Sequence, residues 1–253
     1  MPAKPLLRDR VALWLNTPCL DAAIAAARDM RSATRTVVVT PNLFLAYGGS
    51  GVRCIFELGI SDVLLNLGLL GAPSEIWECV TEAAKLTAKA ISLSALNSVS
   101  VIRHAVAAAE ASKQITLRVA RPLVFLSVLP PSVGDAEMVD DLGMRVRRAG
   151  HVEQTARNLL EAGADGIILE YEDVKYVRRV SKKIPLLIFS QRRVRNYAEA
   201  DTEDEKKKAG ITEIIKRGAS HVIFDSELIR NTDVEWAADM VNKEVEAATA
   251  RKK

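Results

Sequence analysis

Three observations predict an α/β protein, a single (β/α)8 barrel. Short apolar or β-branched runs alternate with longer amphipathic stretches eight times along 253 residues. The short runs are apolar at most positions instead of alternating, which is how strands buried on both faces of a parallel sheet read. The turn after the first run, Leu13-Trp14-Leu15-Asn16-Thr17-Pro18, contains no glycine. A doubly wound sheet, whose first turn is commonly Gly-rich, is therefore the weaker alternative.

In chain order, the expected strands are Val11–Leu15, Thr36–Thr40, Asp62–Leu67, Ala90–Ser94, Leu123–Leu129, Gly166–Glu170, Pro185–Ser190 and His221–Asp225. The helical stretches are Leu20–Arg31, Gly51–Leu58, Pro73–Lys89, Ser98–Ala111, Val152–Ala162, Glu172–Lys182, Thr202–Arg217 and Asp233–Ala248. Gly59, Gly163 and Gly218 each follow a helical pattern, where a left-handed cap favours glycine. Pro73 opens a helix, a position at which its missing N–H costs nothing. No Pro/Gly/Ser-rich linker divides the chain, so residues 1–253 read as one domain and 249–253 as a disordered basic tail. Pro130–Gly150 and Gln191–Asp201 are long for barrel loops and fall at the C-terminal rim, where barrel enzymes place their sites.

Composition excludes several classes of function. The chain is 49% hydrophobic and 26% charged, too apolar for a disordered protein. Its 3 cysteines cannot make a disulfide scaffold. No apolar run reaches the roughly 18 residues of a membrane helix. The start, Met1-Pro2-Ala3-Lys4-Pro5, is not a secretory signal, so a cytoplasmic protein is expected. A net charge of +3 gives nucleic-acid binding no support, and only Tyr197 lies near Arg192, Arg193 and Arg195 to stack a base.

In a barrel, chemistry is argued from the strand ends. The first five ends carry no Lys, Asp, Glu or His. Proton transfer needs a side chain whose pKa can be tuned toward the working pH, and Asn, Ser, Thr and Gly cannot supply one. Charged candidates remain only at strands six to eight: Glu170, Glu172, Arg192, Arg193, Asp225 and Glu227. Solvated rim charge is the competing reading for all of them. Gln191, Arg192, Arg193, Ser226 and Glu170 are the candidate ligand contacts, suited to a phosphorylated small molecule. His104, His151 and His221 lie far apart and no metal site is expected. Cys19, Cys54 and Cys79 read as isolated, buried and inert thiols, and the run Arg145-Val146-Arg147-Arg148 as a basic cluster on a rim loop, solvated surface charge first and a contact for a phosphate or an acidic partner second.

A longer pattern is more specific. Leu126-Ser127-Val128-Leu129-Pro130-Pro131 is followed by Leu142-Gly143-Met144 and by Glu161-Ala162-Gly163-Ala164-Asp165-Gly166-Ile167-Ile168. Earlier come Val37-Val38-Val39-Thr40 with Leu43-Phe44, and Leu65-Asn66-Leu67-Gly68-Leu69-Leu70-Gly71-Ala72-Pro73. Together these resemble the orotidine 5'-monophosphate decarboxylase family over nearly the whole chain. The resemblance implies a cofactor-free barrel that pairs as a dimer across its rim.

The charged residues of that family are replaced here. The Asp that ends the family's first strand falls on Asn16, and its strand-two Lys on Val38. Its D-x-K-x-x-D array falls on Asn66, Gly68 and Gly71. The strand-four His is Ser94, and the phosphate-binding Gly-Arg falls on Phe224-Asp225. The family's chemistry builds a carbanion-like centre that a fixed ammonium stabilises and protonates, which glycine cannot do. The resemblance therefore implies a non-catalytic homologue that serves as a binding or regulatory barrel. Its partner would be a second copy or a related barrel, with no membrane involved. The alternative is an active lyase of the same superfamily, of the kind used in pyrimidine biosynthesis, acting on a phosphorylated nucleotide or sugar.

Overall fold

The computed structural model describes residues 9–116, 120–130, 132–189, 210–225 and 234–250. Eight parallel strands close into a barrel in sequence order, β1 to β8, as the alternation of strand and helix patterns predicts. The chain divides into two compact halves, residues 1–65 with 187–253, and residues 66–186.

The first half holds β1 (Val11–Leu15), β2 (Thr36–Val39), the start of β3 (Asp62–Leu69), β7 (Leu186–Phe189) from Leu187 onward and β8 (His221–Asp225). Its register pairs Val11 with Val222, Leu15 with Val39, Thr36 with Asp62, and Ile188 with Val222. Ala12, Leu13, Val37, Val38, Val63, Leu64, Val222 and Ile223 are all fully buried, so neither face of these strands meets water. Helix α1 (Leu20–Asp29) turns Ala23 and Ala27 inward. Helix α2 runs Pro41–Glu57 instead of the expected Gly51–Leu58. Pro41 at the first helical position starts it early, and Gly48, at φ 54 and ψ −146, bends it midway. Helices α8 (Ile211–Lys216) and α9 (Val234–Thr249) also belong to this half; residues 202–209 of the expected helix Thr202–Arg217 lie outside the described residues. Thr249 is helical, not part of a disordered tail, and residues 251–253 lie outside the described set.

The second half holds the end of β3, β4 (Ala90–Ser94), β5 (Leu123–Ser127) and β6 (Gly166–Glu170). Strand β3 runs two residues beyond its expected end. Strand β5 stops two short, at Ser127, although the Val128 N–H still reaches the Ile168 carbonyl at 3.0 Å. Helix α3 (Pro73–Lys85) opens on Pro73, with the Glu75 carboxylate accepting the Ala72 N–H at 2.9 Å. It ends four residues earlier than its pattern suggests. Thr87, at φ 65, turns the chain, and the Thr87 and Ala88 N–H groups bond back to the carbonyls of Ala84 and Ala83. Helix α4 spans Val99–Thr116.

The Pro130–Gly150 stretch, read as loop, contains a short helix, α5 (Asp135–Asp140). Helix α6 (Arg148–Ala162) begins one turn before the expected Val152 and ends on Gly163 at φ 79. Helix α7 (Val174–Val180) follows a 3-10 turn at Tyr171–Asp173.

At the N-terminal end of these strands, Asp165 grips Arg121 through two bonds of 2.7 and 2.9 Å and accepts the Val124 N–H at 2.8 Å. Next to Asp165, Gly166 faces the Phe125 ring. A Cβ there would lie 2.7 Å from that ring and 2.8 Å from the Pro185 carbonyl. Overpacking of this kind costs about 1–3 kcal/mol. Gly166→Ala should therefore lower the unfolding free energy by that amount, read as a lower urea midpoint with the m-value unchanged. An unchanged midpoint would contradict the packing seen here.

Candidate functional site

In the first half, β1 ends at Leu15, and Asn16 bonds back to the Trp14 carbonyl at 3.1 Å. Thr40 donates its hydroxyl to the Leu15 carbonyl at 2.9 Å and also meets the Asn42 amide oxygen. That amide oxygen in turn accepts the Leu43 N–H at 2.8 Å. Val38 is fully buried in β2. Trp14 stands in register with Val38 on β2 and Asp225 on β8. It packs at 56° on Phe189, ring centres 4.9 Å apart, and its indole N–H has no hydrogen-bond partner. A pair of large rings thus occupies the face of this sheet that leads to Asn16. Gln191, Arg192, Arg193 and Ser226 lie outside the described residues.

In the second half, the Ser92 hydroxyl donates to the Asn66 amide oxygen at 2.8 Å and accepts the Gly68 N–H at 2.9 Å. Asn97 donates to the carbonyls of Leu69 and Ser94 at 2.7 and 2.9 Å and accepts the Gly71 N–H at 3.4 Å. This is a neutral network. Asparagine and serine satisfy the backbone of the strand ends and place no charge there. Gly68 sits at φ 56, and nothing lies within 4 Å of where its Cβ would be. A side chain at that point would enter open space, but at a backbone angle that L-residues rarely adopt. Glu170 is half-buried at the end of β6 and already has an interaction partner.

The strongest ionic cluster lies elsewhere in this half. Arg148, at the first position of α6, is 18% exposed and Asp173 only 3%. The Arg148 Nε donates to both Asp173 carboxylate oxygens at 3.0 and 3.1 Å, and a terminal nitrogen adds a bond of 2.5 Å. Its remaining donors reach the carbonyls of Leu129, Pro130 and Val133 at 3.0–3.1 Å. The guanidinium thus ties the end of β5 and the following loop to the turn before α7. Asp135 caps the other side by accepting the Arg148 backbone N–H at 2.8 Å. The sequence reading placed Arg148 among solvated charges; burial corrects it. One signal was present, since an arginine at the first position of a helix opposes the macrodipole and needs a local compensation.

His151, one turn along α6, is 6% exposed and its Nε2 has no partner. Burial, and then the nearby Arg148 charge, hold the ring below its ordinary pKa, while Asp173 pulls the other way. A cleft of about 600 Å³ lies beside this cluster, lined by Arg147, Glu172, Lys175 and Tyr176 among others. The thiols also correct the sequence reading: Cys19 and Cys79 are exposed and Cys54 is half-buried. Among the described residues, no group of three His, Cys, Asp or Glu could hold a metal. No helix among them is long and apolar enough to cross a membrane.

Removing Arg148 would leave the Asp173 carboxylate buried without its counter-charge, which costs about 3–5 kcal/mol. Arg148→Leu should lose stability on that scale in urea unfolding. The double variant Arg148→Leu/Asp173→Leu should recover part of the loss. Additive losses would show that the pair is not coupled.

The described geometry bears directly on the chain's relatives. The chain is 26% identical over 237 residues to "Orotidine 5'-phosphate decarboxylase" of Sphingopyxis alaskensis, covering 94% of this chain and 97% of that protein. It is likewise 26% identical over 220 residues to the protein of that name from Anaeromyxobacter sp. strain K, covering 87% and 91%. Among solved structures, orotidine 5'-phosphate decarboxylase from Lactobacillus acidophilus matches with a TM-score of 0.75 at 17% identity, over 96% of this chain and all of that one. An uncharacterized conserved protein from Geobacillus kaustophilus matches at 0.76 and 15%, over 92% and 99%. No protein-family model matches the chain. The resemblance read from the sequence is borne out by these relatives, and the barrel by the solved structures.

Proposed function

We propose that this chain is a non-catalytic barrel of the orotidine 5'-phosphate decarboxylase type that serves as a binding or regulatory partner. One observation carries the reading. The positions that the resemblance assigns to the charged array are Asn16, Val38, Asn66, Gly68 and Gly71, and none of these side chains titrates. Decarboxylation without a cofactor needs preorganised charge at the carbon that takes up the electron pair, and a proton donor beside it. The Asn66–Ser92–Gly68 network offers neutral dipoles spent on one another.

The alternative is an active lyase of the same superfamily acting on a phosphorylated nucleotide or sugar. It draws support from the relatives' names and from their coverage of most of the chain. An assay with orotidine 5'-monophosphate separates the two. The expected result is no turnover above the uncatalysed background. Turnover that disappears on Asn66→Ala would overturn the non-catalytic reading.

The proposal includes self-association through the strand-rim side. Leu70 (62% exposed), Leu96, Val139, Leu142 and Val146 stand in water on the segments that follow β3, β4 and β5. Exposed apolar side chains gathered on one side mark an interaction surface. Light scattering should give a mass of twice 27.6 kDa. Leu142→Asp with Val146→Asp should return it to a single copy. A single-copy mass for the unaltered chain would remove this part of the proposal. The three free thiols and the absence of any membrane-length helix among the described residues fit a cytoplasmic setting.

A further inference from the structure

The β5–α6 loop is held by one guanidinium. Arg148 donates to the carbonyls of Leu129, Pro130 and Val133 while its Nε and a terminal nitrogen bond Asp173. Asp135, the first residue of α5, closes the same loop onto α6 through the Arg148 N–H. The segment 135–147 bound in this way carries the exposed Val139, Leu142 and Val146.

Near this clamp lies an imidazole with one ring nitrogen unbonded. His151 Nε2 is buried without a partner. A buried neutral ring tolerates that at the cost of one lost hydrogen bond, whereas a buried imidazolium does not. The charged groups that face the ring are Arg148 on its own helix and Asp173 on the turn before α7. Several other charges on α4, α6 and α7 have partners of their own. Arg103 of α4 pairs with Glu161, Arg179 of α7 with Glu153, and Arg178 with the carbonyls of Ser181 and Ile184. His104 of α4 is bonded to the Ser100 carbonyl. Asp173 is thus the acceptor for which a protonated His151 must compete.

We propose that His151 is a proton-operated latch on the loop. When it takes up a proton, it contends with Arg148 for Asp173, and the three carbonyl bonds that pin the loop are released. The inference is independent of whether the barrel is catalytic. The sign follows from burial. The folded chain takes up this proton less readily than the unfolded one, so the stability it guards is whole above about pH 6.5 and declines as pH falls toward the folded value.

Hydrogen exchange read by mass spectrometry, as protection factors corrected for intrinsic rate, tests the latch on the full chain. Peptides covering 135–147 should lose at least tenfold protection between pH 7.5 and 5.0, while β4 and β5 keep theirs. His151→Phe should hold the loop at both pH values, and Asp173→Asn should leave it loose at both. Equal loss in the wild type and His151→Phe overturns the proposal, as does a loop indifferent to pH. Should the variants fail to fold, proton titration of the wild type by NMR decides. The amides of 135–147 must titrate at the midpoint of the His151 ring and not at that of His104 or His221. A different midpoint sinks the latch.

Discussion

A closed sheet of parallel strands has no edge and no wet face, and the rest of this molecule follows from that constraint. One face of each strand fills the barrel and the other lies under helices, so both must be apolar or small. Val11–Leu15, Thr36–Val39 and His221–Asp225 meet the requirement with almost every residue buried. Polar side chains are then few within the strands, and backbone groups toward the strand ends still need partners. Asn66, Ser92 and Asn97 at one end and Asp165 with Arg121 at the other serve that need.

The same constraint explains how a barrel can be kept while its rim is recast. The residues that fill the interior and the residues that face the mouth belong to different positions along each strand. Asn66 and Gly68 lie along β3 past the buried Leu64 and Leu65, and Gly71 lies beyond its end. What must be maintained is the closure of the loops above them. In the second half that closure rests on ionic contacts, because Pro130 and the turns around it have too few backbone partners of their own. A guanidinium with five directed donors can satisfy several carbonyls from one point, which a lysine cannot.

The sequence pattern found most of the scaffold. Strands β1, β4, β6 and β8 match their expected bounds, since apolar runs of that length have no other stable environment. The glycine caps at Gly59, Gly163 and Gly218 all take positive φ, as expected. The misses are local. Helix α2 begins ten residues early because Pro41 can open a helix as well as break one, and the early stretch lacks the polar face that marks a helix from sequence. Helix α5 is too short to show a period. The absence of Lys, Asp, Glu and His from the first five expected strand ends was legible, because it needs only residue identities. The Arg148–Asp173–His151 cluster was not, because its members lie 25 and 22 residues apart along the chain.

By itself the sequence determined the barrel and the neutrality of its first five strand ends, because both depend on which residue types recur at which spacing. Only the tertiary structure decided which charges leave water. Arg148 and Asp173 look like any other surface residues until α6 and α7 pack together. Burial is a property of neighbours brought together by the fold. It is also what leaves one ring nitrogen of a buried histidine without a partner, and makes an arginine among others the clamp of a loop.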